Sequence, residues 1–258
     1  MTPAGRFADV AREDGRAALV TVVRSPGEPA VGAKLLLTAD GAREGSLGDA
    51  GLDERAAAAA EDLMWAERSE LREDGDVGLF IDVTHPAPRL IIFGAVDYAG
   101  ALCRLARACS WRPYVVDPRS QFATRERFPD AEEVIVGWPA DALPRLGGID
   151  RATYLVVLTH DPKLDDAVLE LALRSPAAYV GAMGSRRAQE KRRERLVALG
   201  MTDEELARLA APIGLDLGAM TSEETALSIM AEVVAVRHGR GGGRLSAAGA
   251  GRIHEVGA

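Results

Sequence analysis

The stretch Leu90–Gly94, Leu-Ile-Ile-Phe-Gly, constrains the fold more than any other part of the chain. An uninterrupted apolar run ends at a glycine, and a helical pattern begins close behind it, at Asp97. Such a run is typical of the first strand, turn and helix of a doubly wound α/β domain. The turn at Gly94 is therefore the reference point for the rest of the chain.

Strands and helices alternate after Leu90. The sequence predicts further strands at Tyr114–Val116, Glu133–Val136, Tyr154–Leu158 and Ala178–Val180. It predicts helices at about 97–110, 163–174, 187–199, 202–209 and 221–238, and a short helix or loop at 120–130. This alternation indicates an α/β fold, a Rossmann-like parallel sheet covered by helices on both faces, over residues 88–238.

A small α+β domain is expected before it, at residues 1–85. The predicted elements are a short polar helix within 1–14, strands at Ala17–Arg24, Ala33–Thr38, Glu44–Leu47 and Gly78–Val83, and a helix from Leu52 to Glu70. Pro86 and Pro88 indicate a stiff linker between the two domains. Residues 239–258 are glycine-rich without periodicity, which predicts a flexible tail.

Charge and hydropathy exclude several classes of protein. The net charge of −8 argues against nucleic acid as a partner, because phosphate binding needs a basic surface. The sequence has no apolar run long enough for a membrane span and no signal-like start, so we expect a cytoplasmic protein with no membrane partner. The only cysteines, Cys103 and Cys109, are predicted to be small core residues, and no metal site is expected.

Ligands of open α/β sheets bind outside the carboxyl ends of the strands. We therefore expect the turns that follow the predicted strands, together with the last loop, to converge on one crevice. These segments are Gly94–Tyr98, Asp117–Arg119, Thr159–Lys163, Gly181–Arg187 and Pro212–Thr221.

The first turn departs from the dinucleotide pattern. Val96 stands where that pattern has a second glycine, and its side chain would occupy the space of a pyrophosphate. Asp97 would face an incoming phosphate, and two unit charges about 4 Å apart repel by roughly 4 kcal/mol at an effective dielectric near 20. NAD(P) binding is therefore disfavoured at Gly94. A plain helix start capped by Asp97 is the alternative.

Polar residues also follow the second strand and the strand Tyr154–Leu158. Asp117 is placed to hold ribose hydroxyls and Arg119 to contact a phosphate, or the two form a local ion pair. His160 is a candidate to bind a ligand or act as an acid or base. Asp161 is a further candidate to bind the ligand, and the alternative is that it only caps the helix before Pro162.

The run Gly184-Ser185-Arg186 resembles an anion cradle, with small residues and a guanidinium at a helix start. The arginines that follow, Arg192 among them, are expected on a solvated helix face. Asp216, in a glycine-flanked loop, is expected to face the crevice. Thr221 and Glu224 have the spacing of a capping box.

Five motifs in this order resemble the Rossmann-type domain of the XdhC/CoxI family, the accessory factors of xanthine dehydrogenase and related molybdenum hydroxylases. The motifs are Val115–Arg119, Phe122–Thr124, Leu158–Lys163, Tyr179–Arg186 and Ala211–Ala219. The resemblance covers about residues 88–238. Residues 17–60 resemble the family's N-terminal domain more weakly.

The resemblance implies a binding and delivery protein rather than an enzyme. Family members bind the molybdenum cofactor transiently, promote or protect its sulfurated form and pass it to the hydroxylase apoenzyme. They contact a cysteine desulfurase and are commonly homodimers. This sequence departs from the family at Gly51, where the N-terminal domain often has a cysteine, and at Val96-Asp97, where Gly-His is common.

The resemblance yields a placement for the cofactor. Molybdopterin has a terminal phosphate and an aminopyrimidinone ring whose N–H donors suit a carboxylate. We expect Asp97 or Asp117 to contact the ring, and Ser185 and Arg186 to hold the phosphate. The alternatives are an NAD(P)-dependent oxidoreductase, which Asp117 and His160 favour, and a cofactor-free interaction module, which Gly51 favours.

Overall fold

The structure is a computed structural model that describes residues 1–247. The chain divides into two compact units, of which the first comprises Met1–Ala87 and the second begins at Pro88. Of the predicted tail, residues 248–258 lie outside the described residues. Its described part includes a short 3-10 helix at Leu245–Ala247. Within residues 1–247, no helix is both long and apolar enough to cross a membrane.

The first unit is built on a five-stranded antiparallel sheet with the strand order β3-β2-β1-β5-β4. Its elements are α1 (Pro3–Arg12), β1 (Ala17–Arg24), β2 (Lys34–Thr38), β3 (Arg43–Ser46), α2 (Ala50–Ala66), β4 (Glu70–Asp74) and β5 (Val77–Val83). Alternate residues of a strand face the same side of a sheet. Val20 and Val22 therefore share one core with Ala56 and Ala60 of α2.

The helix predicted from Leu52 to Glu70 is wrong at its end. α2 ends at Ala66, and Glu67 adopts a left-handed conformation with φ of 53°. Residues Glu70–Asp74 instead form a hairpin with β5. Their Glu, Leu and Arg residues are good helix formers, so local propensity favours the helix. Pairing with β5 overrides that propensity.

The second unit is built on a six-stranded parallel sheet. Its elements are β6 (Arg89–Phe93), α3 (Asp97–Ala108), β7 (Arg112–Asp117), β8 (Glu133–Val136), α4 (Pro139–Arg145), β9 (Thr153–Val157), α5 (Pro162–Leu173), β10 (Tyr179–Ala182), α6 (Arg186–Ala198), α7 (Asp203–Ala207), β11 (Leu209–Ala210) and α8 (Ser222–Arg237). The strand order β11-β10-β9-β6-β7-β8 is that of dinucleotide-binding domains. The predicted parallel α/β fold is confirmed, and the strand order reverses between β6 and β9.

Helices cover both faces of this sheet. α3 and α8 pack over Leu90 and Ile92, whereas α5 and α6 share a core with Ile91 and Phe93. Successive residues of β6 are thus buried on opposite faces, which is why the strand is uninterruptedly apolar. This layering places the turn after β6 at the point where the strand order reverses.

Several local predictions in the second unit are corrected. Residues 120–130 form the loop that was one of the two predicted possibilities, whereas the short elements α4 and β11 were not predicted. α4 begins at Pro139 and contains Pro144, so it has no ordinary helix pattern. Cys103 is buried as expected, and burial raises the pKa of its thiol to about 12. Cys109 is exposed, so its assignment to the core is wrong.

Candidate functional site

The turns after β6 and β9 lie against each other at the strand-order reversal. Gly94 has a φ of +113°, a region that side chains disfavour. A Cβ added there would lie 2.6 Å from Thr159 Cγ2 and 3.2 Å from Thr159 N. Only glycine allows this approach, so Gly94 brings the two turns together at the carboxyl edge of the sheet.

Asp117, at the end of β7, is fully buried beside that turn. Its Oδ2 accepts from Ala95 N at 2.9 Å and Arg119 Nη2 at 2.7 Å, and its Oδ1 from Arg119 N at 2.9 Å and Nε at 2.8 Å. Four donors saturate a carboxylate. Its carboxylate therefore orients the Gly94 turn and forms the local ion pair with Arg119 that the sequence allowed, while direct contact of Asp117 with a ligand stays a prediction.

Burial opposes ionisation of Asp117, but the hydrogen bonds from Arg119 and the backbone N–H groups outweigh it and lower its pKa. A carboxyl with a lowered pKa stabilises the fold above its unfolded-state pKa of about 3.9, and this stabilisation is lost as the pH falls through the folded-state pKa.

We expect Asp117→Asn to lower the free energy of unfolding by about 1–3 kcal/mol at neutral pH, because buried N–H donors lose their acceptor. The difference from the native protein should shrink in acid. Urea denaturation between about pH 7 and about pH 3 measures it. Asp216→Asn, at an exposed position, is the control. A difference that is constant with pH would contradict the assigned role.

A loop after β7 braces the turn from the other side. Arg127 Nη1 donates to Ala95 O at 2.9 Å, and its Nη2 lies 3.2 Å from Asp97 Oδ1. The Arg119 guanidinium stacks on Phe122 with its Cζ 4.7 Å from the ring centre. The charge of Asp97 is thus partly balanced by Arg127, so it repels an anion less than the sequence alone suggests.

Asp97 is the first residue of α3, and its side chain is 89% exposed. Val96 is the N-cap and makes no side-chain hydrogen bond, so the alternative of an Asp97 cap is wrong. The side chain of Val96 packs partly against the core. Asp97 is therefore exposed at the turn after β6, and its contact with a ligand stays a prediction.

The turn after β9 has one structural acid and one exposed histidine. Asp161 caps α5 through a bond from Lys163 N at 3.0 Å. The pKa of Arg119 is raised, first by its hydrogen bond with Asp117 and to a smaller extent by the charge of Asp161. His160 is exposed and, within residues 1–247, its side chain makes no hydrogen bond. Asp161 and Arg119 are therefore near each other, and His160 is the exposed residue that precedes Asp161 in the same turn.

The turn after β10 leads into α6. Gly184 has a φ of +139°, and Ser185 caps the helix by accepting from Ala188 N at 3.3 Å. Arg186 is the first residue of α6 and is exposed. Among the described residues its guanidinium has no partner. The predicted anion cradle thus has a helix start, a capping serine and an available arginine.

The expected solvated face of α6 is wrong at Arg192. Its side chain is 4% exposed and its Nη2 lies 2.7 Å from Asp165 Oδ2 on α5. Sequence reasoning missed this pair because Asp165 is an ordinary first-turn acid of its helix and Arg192 one of several arginines. The available signal was the position of Asp165, which lies three and four residues before Val168 and Leu169 and therefore on the buried side of α5.

The last loop is anchored at Gly214 rather than at Asp216. Gly214 N donates to Glu232 Oε2 at 2.8 Å, and Tyr179 donates its hydroxyl to the same oxygen. Asp216 is exposed, and no contact brings it to the other turns within the described residues. The predicted capping box of Thr221 and Glu224 is present.

An open cavity of about 320 Å³ lies between the first turns of α3 and the start of α8. Its lining residues are Asp97, Gly100, Arg104, Arg127, Phe128, Ser222 and Glu223. Arg104 and Arg127 are paired there with Glu223 and Asp97, each at 3.2 Å. Across residues 1–247, no group of three or more His, Cys, Asp or Glu side chains is arranged to hold a metal.

Comparison with known proteins covers both units. A family model described as the XdhC Rossmann domain matches residues 90–233, and one described as the XdhC and CoxI family matches residues 10–74. A solved structure described as a xanthine dehydrogenase from Bacillus halodurans has a TM-score of 0.54 and 19% identity, over 96% of this chain and 98% of that one. At that identity the likeness concerns the fold alone.

Three curated relatives are similar to parts of the chain. The Escherichia coli molybdenum cofactor insertion chaperone PaoD is 31% identical over 59% of this chain and 41% of its own. A Bacillus subtilis protein named as a probable xanthine dehydrogenase subunit is 29% identical over 64% and 47%, and the uncharacterised protein YqeB of Escherichia coli 28% identical over 66% and 31%. The matched region is less than half of each relative's length.

Proposed function

The chain belongs to the XdhC and CoxI family, and from that premise we propose that it is an accessory protein, not a catalyst, that binds the molybdenum cofactor and assists its insertion into a molybdenum hydroxylase. One relative is named as a molybdenum cofactor insertion chaperone and another as a probable component of xanthine dehydrogenase. A hydroxylase apoenzyme as recipient, a cysteine desulfurase as contact, a homodimer and a cytoplasmic location belong to the same proposal.

One observation carries the proposal: at the carboxyl edge of the sheet, the turn before α6 combines Gly184, the cap Ser185 and the exposed Arg186, whose guanidinium has no partner among residues 1–247. Helix starts with free N–H groups and a guanidinium suit a phosphate. Molybdopterin has one such phosphate, so this part of the crevice fits it.

The ring of the pterin needs an acceptor for its N–H donors. Because both oxygens of Asp117 are saturated, we assign this role to Asp97, which is exposed at the neighbouring turn. A carboxylate accepts paired N–H donors in a bidentate manner. In this proposal His160 and Asp161, from the turn after β9, contribute further polar contacts.

The proposed role requires binding and release without covalent chemistry. The cofactor supplies redox chemistry to the recipient hydroxylase, while Asp97, Ser185 and Arg186 of this chain only hold it. Gly51 lies in the first turn of α2, next to the cap Asp49. No thiol is present at this position, so the proposal assigns any sulfur transfer to a partner.

The direct test is the pterin and molybdenum content of the protein isolated anaerobically from a host that makes the cofactor. Pterin is measured as its fluorescent oxidation product and metal by mass spectrometry. Near-stoichiometric pterin supports the proposal. Background pterin in a protein that still captures an apo-hydroxylase would instead favour the cofactor-free interaction module.

We expect Arg186→Ala to weaken molybdopterin binding by about 1.5–3 kcal/mol, the range for a hydrogen bond to a charged group. This is about a ten- to hundredfold rise in the Kd. The matched control is Arg193→Ala, which removes an exposed arginine of the same helix that pairs with Asp203. Equal affinities of the two variants in a fluorescence titration would contradict the placement of the phosphate.

A further inference from the structure

A buried polar network lies beneath the turns after β9 and β10. The Asp165 and Arg192 side chains are 3% and 4% exposed and form an ion pair at 2.7 Å. Arg192 Nε is buried without an acceptor among the described residues. A buried ion pair is weak evidence for stability, since apolar residues of the same volume often serve the fold as well. An incompletely satisfied pair therefore suggests another role.

The network holds both turns. Arg192 Nη2 also donates to Met183 O at 3.1 Å, and Arg192 Nη1 donates to the side-chain oxygen of Gln189. Gln189 Nε2 in turn donates to Ala182 O and Gly184 O, each at 3.3 Å. On the other side, Asp165 accepts from the Thr159 hydroxyl. The backbone carbonyls of Ala182, Met183 and Gly184 thus all accept hydrogen bonds from side chains of α6.

The direction of these carbonyls also fixes the direction of the N–H groups that follow them in the chain. In a trans peptide the C=O and the next N–H point in opposite directions. With Met183 O and Gly184 O held by Arg192 and Gln189, the N–H groups of Gly184 and Ser185 point away from the network. Within residues 1–247, neither N–H has a protein acceptor. Such aligned backbone donors form an anion-binding edge.

We propose that Arg192 and Gln189 are positioning residues that aim the N–H groups of Gly184 and Ser185 at the phosphate of the bound cofactor. This inference rests on the proposed function and deepens it. Asp165 fixes Arg192, and through Thr159 it couples the edge to the turn at Gly94. Recognition of the phosphate then depends on buried side chains that never touch it.

The test compares molybdopterin with its enzymatically dephosphorylated form in titrations of the full chain. Arg192→Lys keeps a positive charge beside Asp165 but loses the guanidinium that also donates to Met183 O. Gln189→Met removes the side-chain amide that donates to Ala182 O and Gly184 O. We expect each to weaken binding of the phosphorylated form about ten- to hundredfold. Binding of the dephosphorylated form should be unchanged, which a general loss of folding cannot produce.

The control is Arg195→Lys. Arg195 joins the same two helices through Asp166, at 2.7 and 3.0 Å, without a bond to the turn. It should keep the native preference for the phosphorylated form. If the native protein binds neither form, the proposed function fails. If it prefers the phosphorylated form and Arg192→Lys and Gln189→Met keep that preference, the positioning role alone is overturned.

Discussion

Arg192→Met is expected to lower the free energy of unfolding by about 3–5 kcal/mol, the cost of leaving a buried charge without its partner. Methionine fills most of the volume of the arginine stem, so the loss comes from Asp165 rather than from a cavity. Only the Thr159 hydroxyl would remain on that carboxylate among the described contacts. Urea denaturation at neutral pH measures the change.

Two variants make this prediction specific. Arg193→Met breaks the Arg193–Asp203 pair, whose side chains are 56% and 90% exposed, and should cost less than about 1 kcal/mol. The double variant Asp165→Leu with Arg192→Met removes both charges and should recover most of the loss. If Arg192→Met lowered the free energy of unfolding no more than Arg193→Met does, the carboxylate of Asp165 would have to be hydrated in the variant, and the prediction would be wrong.

The double variant also separates stability from recognition. If the pair exists to orient the turn before α6, a protein with two apolar residues there should be folded but should have lost its preference for a phosphorylated pterin. A stable double variant that retained this preference would make the buried pair dispensable for both purposes.

Local sequence predicts the parallel sheet well because its signals are short-range. Burial on both faces makes β6 continuously apolar, and the glycine after it is required where the chain turns. The same holds for Asp161 and Thr221, whose capping bonds are made within a few residues. Each of these features can be read from a window of about one helical turn or one strand.

Features that depend on distant partners could not be predicted in this way. β4 forms because it pairs with β5, although its residues favour a helix. Arg192 is buried because Asp165, 27 residues earlier, lies opposite it on the neighbouring helix. In the sequence Arg192 cannot be distinguished from Arg193, which is exposed.

Asp117 is an intermediate case. Its position at the end of β7 matches the acid that holds ribose in dinucleotide-binding domains. The sequence also offered the alternative of a pair with Arg119. The conformation of the Arg119 side chain distinguishes the two possibilities. In the structure its Nε and Nη2 donate to the two carboxylate oxygens of Asp117. Side-chain conformation of this kind is not encoded in spacing.

Gly94→Ala is expected to destabilise the protein by about 2–6 kcal/mol and to disrupt the crevice. A side chain at a φ of +113° is strained by about 1–3 kcal/mol. The new methyl group would also meet Thr159 Cγ2 at 2.6 Å, and overpacking of this kind costs about 1–3 kcal/mol. Urea denaturation gives the total.

Two variants divide the two causes. Gly148→Ala has a φ of +76° and open space around the new Cβ, so it measures backbone strain with no clash. Thr159→Ser removes Cγ2 but keeps a hydroxyl for Asp165, and in combination with Gly94→Ala it should recover part of the loss. If the double variant recovers no stability, the whole destabilisation by Gly94→Ala comes from backbone strain. The contact between the two turns would then not explain why glycine is needed at this position. Recovery of stability with restored pterin binding would tie the close approach of the turns to the function of the crevice.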